Sequence, residues 1–369
     1  MDDVTDTVFR QVVTSCAPAD VYFTEFVNVD GLQSAGRPNL LKKLQFVPSE
    51  TSLIAQLWGK DPENFRKTAE QIADGTFQRE LGLPSCPVHH SSSSSAFYRR
   101  GTDQAVLEYG AVSTAGEKRA GAEKASGVSG YARKQDGRCV CGFIGIDLNM
   151  GCPAKSEVKN GTCSALMQNR PLAAEIIAAT KAGVESTGSQ MPISVKTRLG
   201  WSDVDHTWSE FLLNQKLNML TIHGRTKKEM SKVPAHWDEI GKVRELRDQL
   251  SPDTLIVGNG DVTDRRHGLE LAKKYGLDGI MIGRGVFQDP YVFADQSPWE
   301  SMTREEKLAL YERHVTLFAQ TWQNNERPIH TLNKFCKIYI NGFDGAKELR
   351  EQLMAADSTE LLLKILNDA

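Results

Sequence analysis

Short apolar runs recur along the chain and alternate with stretches in which apolar residues return every three or four positions. Nearly all of these runs are continuously apolar, as is typical of parallel strands that are covered by helices on one side and packed on the other. The predicted strands are residues 21–25, 53–57, 143–148, 193–196, 219–223, 255–259 and 279–283. The stretches between them predict helices, of which the clearest are residues 62–73, 171–185, 237–249 and 265–275. Strand and helix therefore alternate as βαβ units, which build a parallel sheet.

Polar residues stand at or just past the carboxyl ends of five of these runs, namely Gln56, Asn149, Lys196, His223 and Asn259. In a (β/α)₈ barrel these ends converge on one face, where the active site is built. An open doubly wound sheet would instead concentrate its chemistry at a single switch point. We therefore predict an α/β fold with a (β/α)₈ TIM barrel over residues 1–295. Only seven strands are found, and because the chain opens at Met1 directly before a βα loop, we expect the first strand to be the missing one.

Two segments break the alternation. Residues 76–142 are rich in small and polar residues, with a serine run at 91–95, and are predicted to be an insertion that forms a loop or is disordered. From residue 298 to 369 the periodicity becomes helical, at residues 303–323 and 347–366, which predicts a small all-helical domain after the barrel.

Composition narrows the class of protein. Hydrophobic residues make up 40% and charged residues 25%, and no apolar run is long enough to cross a membrane. The acidic, polar start and the seven irregularly spaced cysteines predict a cytoplasmic protein without a disulfide framework. We also expect a monomer. The net charge of −3 carries no overall signature of nucleic-acid binding, so any RNA contact would use a local patch.

The strongest local signal is the segment from Asp147 to Lys155, followed by residues 159–166. A predicted strand ends at Asn149, and Gly151 and Pro153 then force a tight turn that presents Cys152 on the catalytic face. A thiol there can act as an acid. For a cysteine such as Cys163 the simpler interpretation is a small buried hydrophobic residue.

The string NMGCP at 149–153 resembles the signature of bacterial-type tRNA-dihydrouridine synthases. Strings similar to this family follow in the family's order: VTD at 4–6, TE at 24–25, QLWG at 56–59, VKTRLG at 195–200, IHGRT at 222–226, GNGD at 258–261 and MIGRG at 281–285. They cover the predicted barrel almost throughout, except for residues 76–142. Residues 332–339 and 342–343 resemble the family's helical RNA-binding domain more loosely.

The resemblance implies FMN on the carboxyl face of the barrel, reduced by NADPH, and tRNA as the substrate. Lys196 would place positive charge near the N1–C2 side of the flavin, and the glycine pairs after the last two strands would bind phosphate. A lone Gly-x-Gly is weak evidence, and each pair taken alone predicts only a tight turn. The implied cofactor residues are Gln56, Lys196, His223, Asn259, Gly260, Asp261, Gly283 and Arg284.

The same resemblance implies that hydride passes from the flavin to C6 of a uracil in tRNA while Cys152 protonates C5. A thiol with a reference pKa of about 8.5 is mostly protonated at neutral pH and still able to release the proton. The implied substrate contacts are Asn149, Lys155, Arg225, Lys334 and Lys337. For Arg198 the alternative is a solvated arginine beside a helix cap.

Other interpretations stay open at this point. A different FMN barrel oxidoreductase could act on a free dihydropyrimidine or dihydroorotate, and a catalytically inactive tRNA-binding homologue would also carry these segments. Residues 298–369 hold nine basic and eleven acidic residues, so a merely solvated helical surface is an alternative to RNA binding. Cys86, His89, His90, Cys139 and Cys141 match no standard zinc spacing, and we predict no metal site.

Overall fold

The computed structural model describes residues 1–83, 142–324 and 326–369. Seven strands form one parallel sheet in which the spatial order follows the order in the sequence. The strands are β1 (Tyr22–Asn28), β2 (Leu53–Trp58), β3 (Phe143–Asn149), β4 (Ile193–Arg198), β5 (Met219–His223), β6 (Leu255–Asn259) and β7 (Gly279–Met281). The sheet curls as in a barrel, so the (β/α) architecture predicted from the sequence is confirmed. All seven predicted strands are present, with ends that differ by a few residues.

Helices follow the strands as the periodicity predicts. In the first part of the chain they are α1 (Thr7–Cys16), α2 (Val29–Leu32), α3 (Arg37–Leu41), α4 (Pro62–Ala73) and α5 (Thr76–Glu80). The remaining helices around the sheet are α6 (Lys155–Lys159), α7 (Arg170–Glu185), α8 (His206–Asn214), α9 (Trp237–Leu250) and α10 (Arg265–Tyr275). Short 3₁₀ helices span Lys42–Leu44, Cys163–Gln168 and Arg284–Phe287. Side-chain caps at Asp61, Asp205 and Asp264 begin α4, α8 and α10, because each carboxylate accepts from otherwise unpaired helix N–H groups.

Alternate residues of each strand face opposite sides of the sheet. The outer residues form the main core with the helices, whereas the inner residues Ile54, Ile144, Met219, Leu255 and Val257 form a separate small apolar cluster. Toward the carboxyl ends the inner positions become polar. The interior is therefore apolar at its base and polar at the face where the strands end.

Strand β3 contains an extra residue relative to β2. Leu53 pairs with Phe143 and the next residue, Ile54, pairs with Gly145, so the register shifts by one position. Phe143 and Ile146 belong to the outer core, whereas Ile144 belongs to the inner cluster. This β-bulge puts Asp147 and Asn149 on the inner side for the rest of the strand.

The predicted insertion begins later than the sequence indicated. Residues Thr76–Glu80 form helix α5, and Phe77 is fully buried in the main core. The prediction of a loop or disorder from residue 76 is therefore wrong for this first part, because a phenylalanine that packs against the barrel anchors one helical turn. Residues 84–141, with the candidate metal ligands Cys86, His89, His90, Cys139 and Cys141, lie outside the described residues.

The C-terminal part is helical, as predicted. It comprises α11 (Arg304–Thr321), a 3₁₀ helix at Ile329–Leu332, α12 (Asn333–Tyr339), α13 (Ala346–Ala355) and α14 (Thr359–Asp368). The helical periodicity at 347–366 corresponds to two helices, because Ser358 caps a new helix after Ala356. Helix α1 contributes Val8, Phe9 and Val12 to the apolar core of these helices. No helix in the described part of the chain is both long and apolar enough to cross a membrane.

Candidate active site

Polar side chains from neighbouring strands are brought together at the carboxyl face because they occupy matched positions. Arg198 pairs with His223, and His223 pairs with Asn259, in successive strands. Lys196 lies one inner position lower on β4, and its Nζ donates to Oδ1 of Asn259 at 3.3 Å. The Nδ2 of Asn259 in turn donates to the carbonyl of Met281 at 2.8 Å. The structure thus gathers the polar strand ends on one face, as the sequence predicted.

A buried carboxylate lies directly below this group, at a position that sequence reasoning did not select. Asp147 is paired in register with Gln56 on one side and Ser194 on the other. It accepts hydrogen bonds from Gln56 Nε2 at 2.7 Å and from Ser194 Oγ at 2.6 Å. Burial raises the pKa of Asp147 to about 6, against the effect of these two bonds and of Lys196. Gln56 is therefore held by the protein and is almost fully buried.

The loop that carries Cys152 is held by side chains on both sides. Oδ1 of Asn149 accepts from the backbone N–H groups of Gly151, at 3.1 Å, and Cys152, at 3.0 Å. From β4, Nε of Arg198 donates to the carbonyl of Gly151 at 2.9 Å. A side chain at Gly151 would approach the backbone of Thr197 to 3.1 Å, which explains the glycine. The geometry fixes the cysteine loop against the end of β4.

Arg198 is buried, so it is not a solvated residue at a helix cap. Besides Gly151 it reaches the carbonyls of Thr226, at 3.1 Å, and Met230, at 3.0 Å. Its desolvated surroundings lower its pKa to about 10. Arg198 therefore ties the cysteine loop to the loop that follows β5.

The Cys152 thiol is half-buried and has a lowered pKa of about 7. The first cause is a hydrogen bond with the Cys163 thiol, while burial acts in the opposite direction. A backbone N–H at Ala154 and the charge of Arg198 lower the pKa further. The position of Cys152, predicted from the turn residues, is thus one where a proton is readily released near neutral pH.

Positive charge accumulates around His223. Desolvation, followed by the nearby charges of Lys196, Arg198, Arg225 and Arg284, moves the pKa of His223 far below its usual range. The imidazole is therefore neutral at pH 7. Lys196 experiences the same surroundings, and its pKa is lowered to about 8, first by desolvation and then by Arg198. The face thus carries a local positive field despite the negative net charge of the chain.

Arg225 and Asp261 hold the loops after β5 and β6 together. Arg225 is 3% exposed and reaches the Nε2 of His223 at 3.1 Å and a carboxylate oxygen of Asp261. The backbone N–H of Ala235 also donates to Asp261, at 3.0 Å. Arg284, largely exposed, lies 3.5 Å from the other carboxylate oxygen. Arg225 and Asp261 were predicted to contact substrate and cofactor; in the structure both are engaged with protein groups.

The predicted RNA contacts lie farther out. Lys155 begins helix α6 and is exposed. Lys334 and Lys337 are exposed on α12, and Lys334 Nζ donates to the carbonyl of Asp3 at 2.8 Å. Lys334 thus connects the helical part to the loop before α1. The structure places these lysines on the surface, and their contact with RNA stays a prediction.

The chain matches the sequence model of one protein family, described as Dihydrouridine synthase (Dus), over residues 1–96 and 138–368. Residues 97–137 are outside the match and fall within the predicted insertion. The matched part includes all of the strands and all of the residues gathered at the carboxyl face.

Full-length relatives show the same similarity. The chain is 38% identical to the probable tRNA-dihydrouridine synthase of Staphylococcus aureus over 361 residues, which covers 97% of this chain and 88% of the relative. It is 37% identical to the probable tRNA-dihydrouridine synthase 2 of Bacillus subtilis over 371 residues, which covers 100% of this chain and 91% of the relative. The chain is also 38% identical to the probable tRNA-dihydrouridine synthase of Staphylococcus epidermidis over 369 residues, which covers 98% of this chain and 90% of the relative.

Proposed function

Because the chain belongs to the dihydrouridine synthase family, we propose that it reduces the C5–C6 double bond of uridine in tRNA, with FMN as cofactor and NADPH as reductant. The observation that carries this proposal is the meeting of Cys152 with Lys196, His223 and Asn259 on one face of the sheet. The proposed reaction needs two parts, a proton donor and a positively charged binding site for the cofactor.

The residues present fit a flavin mononucleotide. Lys196, Arg198, Arg225 and Arg284 all act on His223, and this clustered positive charge suits an anionic ligand. Negative charge also develops near the N1–C2 side of a flavin when it is reduced. The Oγ1 of Thr221, paired in register with Lys196, is buried and has no hydrogen-bond partner in the described part of the chain. The site therefore offers a bound group both positive charge and a hydroxyl, that of Thr221, with which it can form a hydrogen bond.

Two glycines after the last strands support phosphate binding. Gly260 has a φ of +131°, a conformation that side chains rarely adopt. A side chain at Gly283 would meet no atom within 4 Å, so open space lies beside this backbone. Arg284 next to it is exposed, and a planar guanidinium is suited to bidentate contact with a phosphate. We assign the phosphate end of FMN to Gly260, Gly283 and Arg284, with Gln56, Lys196, His223 and Asn259 toward the ring and Asp261 bracing the arginines.

When bound, reduced FMN supplies a hydride to C6 of the uracil. The chain's own contribution is the proton at C5, which we assign to the Cys152 thiol. General acid catalysis works best when the pKa of the acid lies near the working pH, and that of Cys152 is about 7. Asn149 holds the backbone on which this thiol stands, and we assign its amide nitrogen to the uracil edge.

The RNA must present an extruded base, since a uracil stacked inside folded tRNA does not reach a flavin in a barrel. Lys155, at the rim beside the cysteine loop, and Lys334 and Lys337, on α12, are the proposed contacts for the RNA backbone. The guanidinium of Arg225 is hydrogen-bonded to His223 and Asp261. We therefore propose that Arg225 influences the uracil indirectly, by holding His223 in place.

The first experiment tests both cofactor and substrate. Purified protein is incubated with FMN, NADPH and an unmodified tRNA transcript, and the nucleosides are analysed by mass spectrometry for dihydrouridine. The expected result is dihydrouridine in tRNA and none from free uridine or uracil. Reduction of free pyrimidine with no reaction on tRNA would instead establish the free-pyrimidine alternative.

The absence of flavin binding would point to the inactive homologue. Titration of the protein with FMN, followed by flavin fluorescence, decides this without any tRNA. The expected result is saturable binding that weakens about 10- to 100-fold when Lys196 is replaced by Met. Dihydrouridine analysis of tRNA from cells that lack the gene then identifies the modified position.

A further inference from the structure

Three side chains at matched positions of neighbouring strands form a polar row across the interior of the sheet. Asp147 in β3 pairs in register with Gln56 in β2 and with Ser194 in β4. All three residues are buried, and Asp147 has no exposed surface. The row lies directly above the small apolar cluster, because Ile54 of that cluster is the next inner residue below Gln56. A carboxylate in such surroundings is costly unless its oxygens have partners.

Both oxygens of Asp147 accept hydrogen bonds, from Ser194 Oγ at 2.6 Å and from Gln56 Nε2 at 2.7 Å. Burial raises the pKa of Asp147 to about 6, so at pH 7 the group is a carboxylate, which accepts hydrogen bonds but does not donate them. Gln56 therefore turns its nitrogen toward Asp147. The two ends of a side-chain amide are almost the same in size and shape, so packing alone would not choose between them.

The backbone of Gln56 is fixed as well. Its N–H donates to Thr24 Oγ1 at 3.0 Å, where the register between β1 and β2 shifts. Since Nε2 and Oε1 diverge from one carbon, an amide that is held through Nε2 directs Oε1 away from Asp147. Lys196 is the next inner residue above Ser194 on β4, so the row lies directly under the positively charged part of the site.

We propose that Asp147 is a positioning residue for the cofactor: it fixes the side-chain amide of Gln56 so that Oε1, an acceptor, is presented to an N–H group of the isoalloxazine ring. The inference rests on the proposed function, which places Gln56 toward the ring of FMN. It adds a residue that acts on the cofactor only through Gln56. An asparagine at position 147 could hold Gln56 in either orientation, whereas a carboxylate allows only one.

A charge effect of Asp147 is the competing explanation. Desolvation and Arg198 lower the pKa of Lys196, whereas the charge of Asp147 raises it. Asp147 could therefore act on FMN through the charge of Lys196 alone. Such an effect does not depend on the side chain at position 56, but a positioning effect disappears when Gln56 is absent. Variants at both positions therefore separate the two explanations.

The first test is a double-variant cycle read out as FMN affinity at pH 7, by flavin fluorescence of the full chain. Asp147→Leu removes both acceptor oxygens, so affinity should fall about 3- to 10-fold, as for the loss of one neutral hydrogen bond. Gln56→Leu should cause a similar fall. The double variant should bind FMN as Gln56→Leu does, within about twofold. Ser194→Ala is the control: it leaves Gln56 held by Asp147 and should change affinity by less than about twofold.

A second cycle keeps the side chains near their original size, so it tests the same contact even if Asp147→Leu does not fold. Gln56→Glu alone sets two carboxylates against each other and should weaken FMN binding. Adding Asp147→Asn supplies an amide nitrogen that can donate to the new carboxylate, and affinity should recover at least about threefold. Asp147→Asn alone should not tighten binding, because only a charge effect would act in both backgrounds.

Failure of this inference is distinguishable from failure of the proposed function. If the unaltered protein binds FMN but the losses in Asp147→Leu and Gln56→Leu add in full, the positioning role is wrong and the proposed function stands. Absence of any recovery in the second cycle has the same meaning. If the unaltered protein does not bind FMN, the proposed function fails and this inference fails with it.

Discussion

Arg327, in the segment before α12, donates a hydrogen bond to the carboxylate of Glu25 in β1, although the two residues are 302 positions apart. Both side chains are almost fully buried. Asp6 lies beside them, 3.8 Å from Arg327, and accepts from Trp322 Nε1 at 3.1 Å. These contacts join the C-terminal helices to the barrel strand that carries the predicted motif at 24–25. The ion pair at their centre is called the Glu25–Arg327 pair below.

Breaking the Glu25–Arg327 pair on one side should be costly. Glu25→Gln or Arg327→Met leaves a buried charge without its partner, which typically costs about 3–5 kcal/mol. Denaturant unfolding measures the loss. The double variant should recover part of it, because neither Glu25 nor Arg327 is then left as a charge without the other, while Asp6 keeps its hydrogen bonds from Trp322 and from the Phe9 N–H. Strictly additive losses in the double variant would mean that the two residues do not stabilise each other.

Replacing Cys152 should separate the two halves of the reaction. Cys152→Ala should still bind FMN and be reduced by NADPH, because that step needs no acid at C5 of uracil. Dihydrouridine formation should fall by about 10² to 10⁴, the usual contribution of general acid catalysis. Flavin absorbance follows the first half and nucleoside mass spectrometry the second. Formation of dihydrouridine at the unaltered rate would require another proton donor.

Replacing Lys196 should act on the cofactor. Lys196→Met removes the charge and the hydrogen bond to Asn259, so FMN affinity should fall by about 10- to 100-fold, in line with about 1.5–3 kcal/mol for a bond to a charged group. The rates of both flavin reduction by NADPH and dihydrouridine formation should fall, whereas Cys152→Ala should slow only the second. Lys196→Arg is the matched control and should retain more affinity. Fluorescence titration with FMN gives the values, and an unchanged affinity in Lys196→Met would remove Lys196 from the cofactor site.

Asp147 should make stability depend on pH. Its pKa is raised from 3.8 to about 6, so the folded state holds a proton that the unfolded state has lost between these values. The stabilisation is complete below pH 3.8 and is lost as the pH rises through 6. Relative to Asp147→Asn, the protein should therefore lose up to about 3 kcal/mol between pH 4 and 7. Urea unfolding at several pH values measures the difference, which would stay constant if Asp147 did not titrate in this range.

Phe77 shows that the dispensable part of the insertion begins only after helix α5. Because its ring is fully buried in the main core, Phe77→Ala should cost about 3–5 kcal/mol. The exposed neighbour Glu80, paired with Arg37 at the surface, is the control, and Glu80→Ala should cost no more than about 1 kcal/mol. Deletion of residues 76–142, expected from composition to be harmless, should therefore unfold the protein more readily than deletion of residues 97–137. Equal stability of the two deletions would contradict this reasoning.

The sequence predicted the strands and their polar ends well, because each strand is short, apolar and bounded by turn residues. Lys196, His223 and Asn259 could be grouped without a structure, since parallel strands end on the same face. Cys152 was recognisable from its glycine and proline neighbours. These are local signals, and local signals are what a single sequence carries most clearly.

The residues that sequence reasoning missed depend on long-range geometry. Asp147 was placed in the motif but not in the site, because nothing local shows that a bulge turns it inward between Gln56 and Ser194. Cys163 is buried, as its pattern predicted, and only its positive φ, which no local signal predicts, distinguishes it from an ordinary core residue. The partner of Glu25 lies 302 positions away, where neither spacing nor periodicity connects the two.

The extra residue in β3 has a consequence for how the gene can change. Phe143 and Ile146 face the helices and Ile144 faces the interior, so deleting one residue at 144 or 145 would remove the bulge, restore regular alternation and leave Asp147 and Asn149 facing inward. Deleting Asp147 or Leu148 would instead turn Asn149 toward the helices and remove it from the polar lining of the site. Alignments of descendants of this chain should therefore tolerate a one-residue gap beside Gly145 but show none between Ile146 and Asn149.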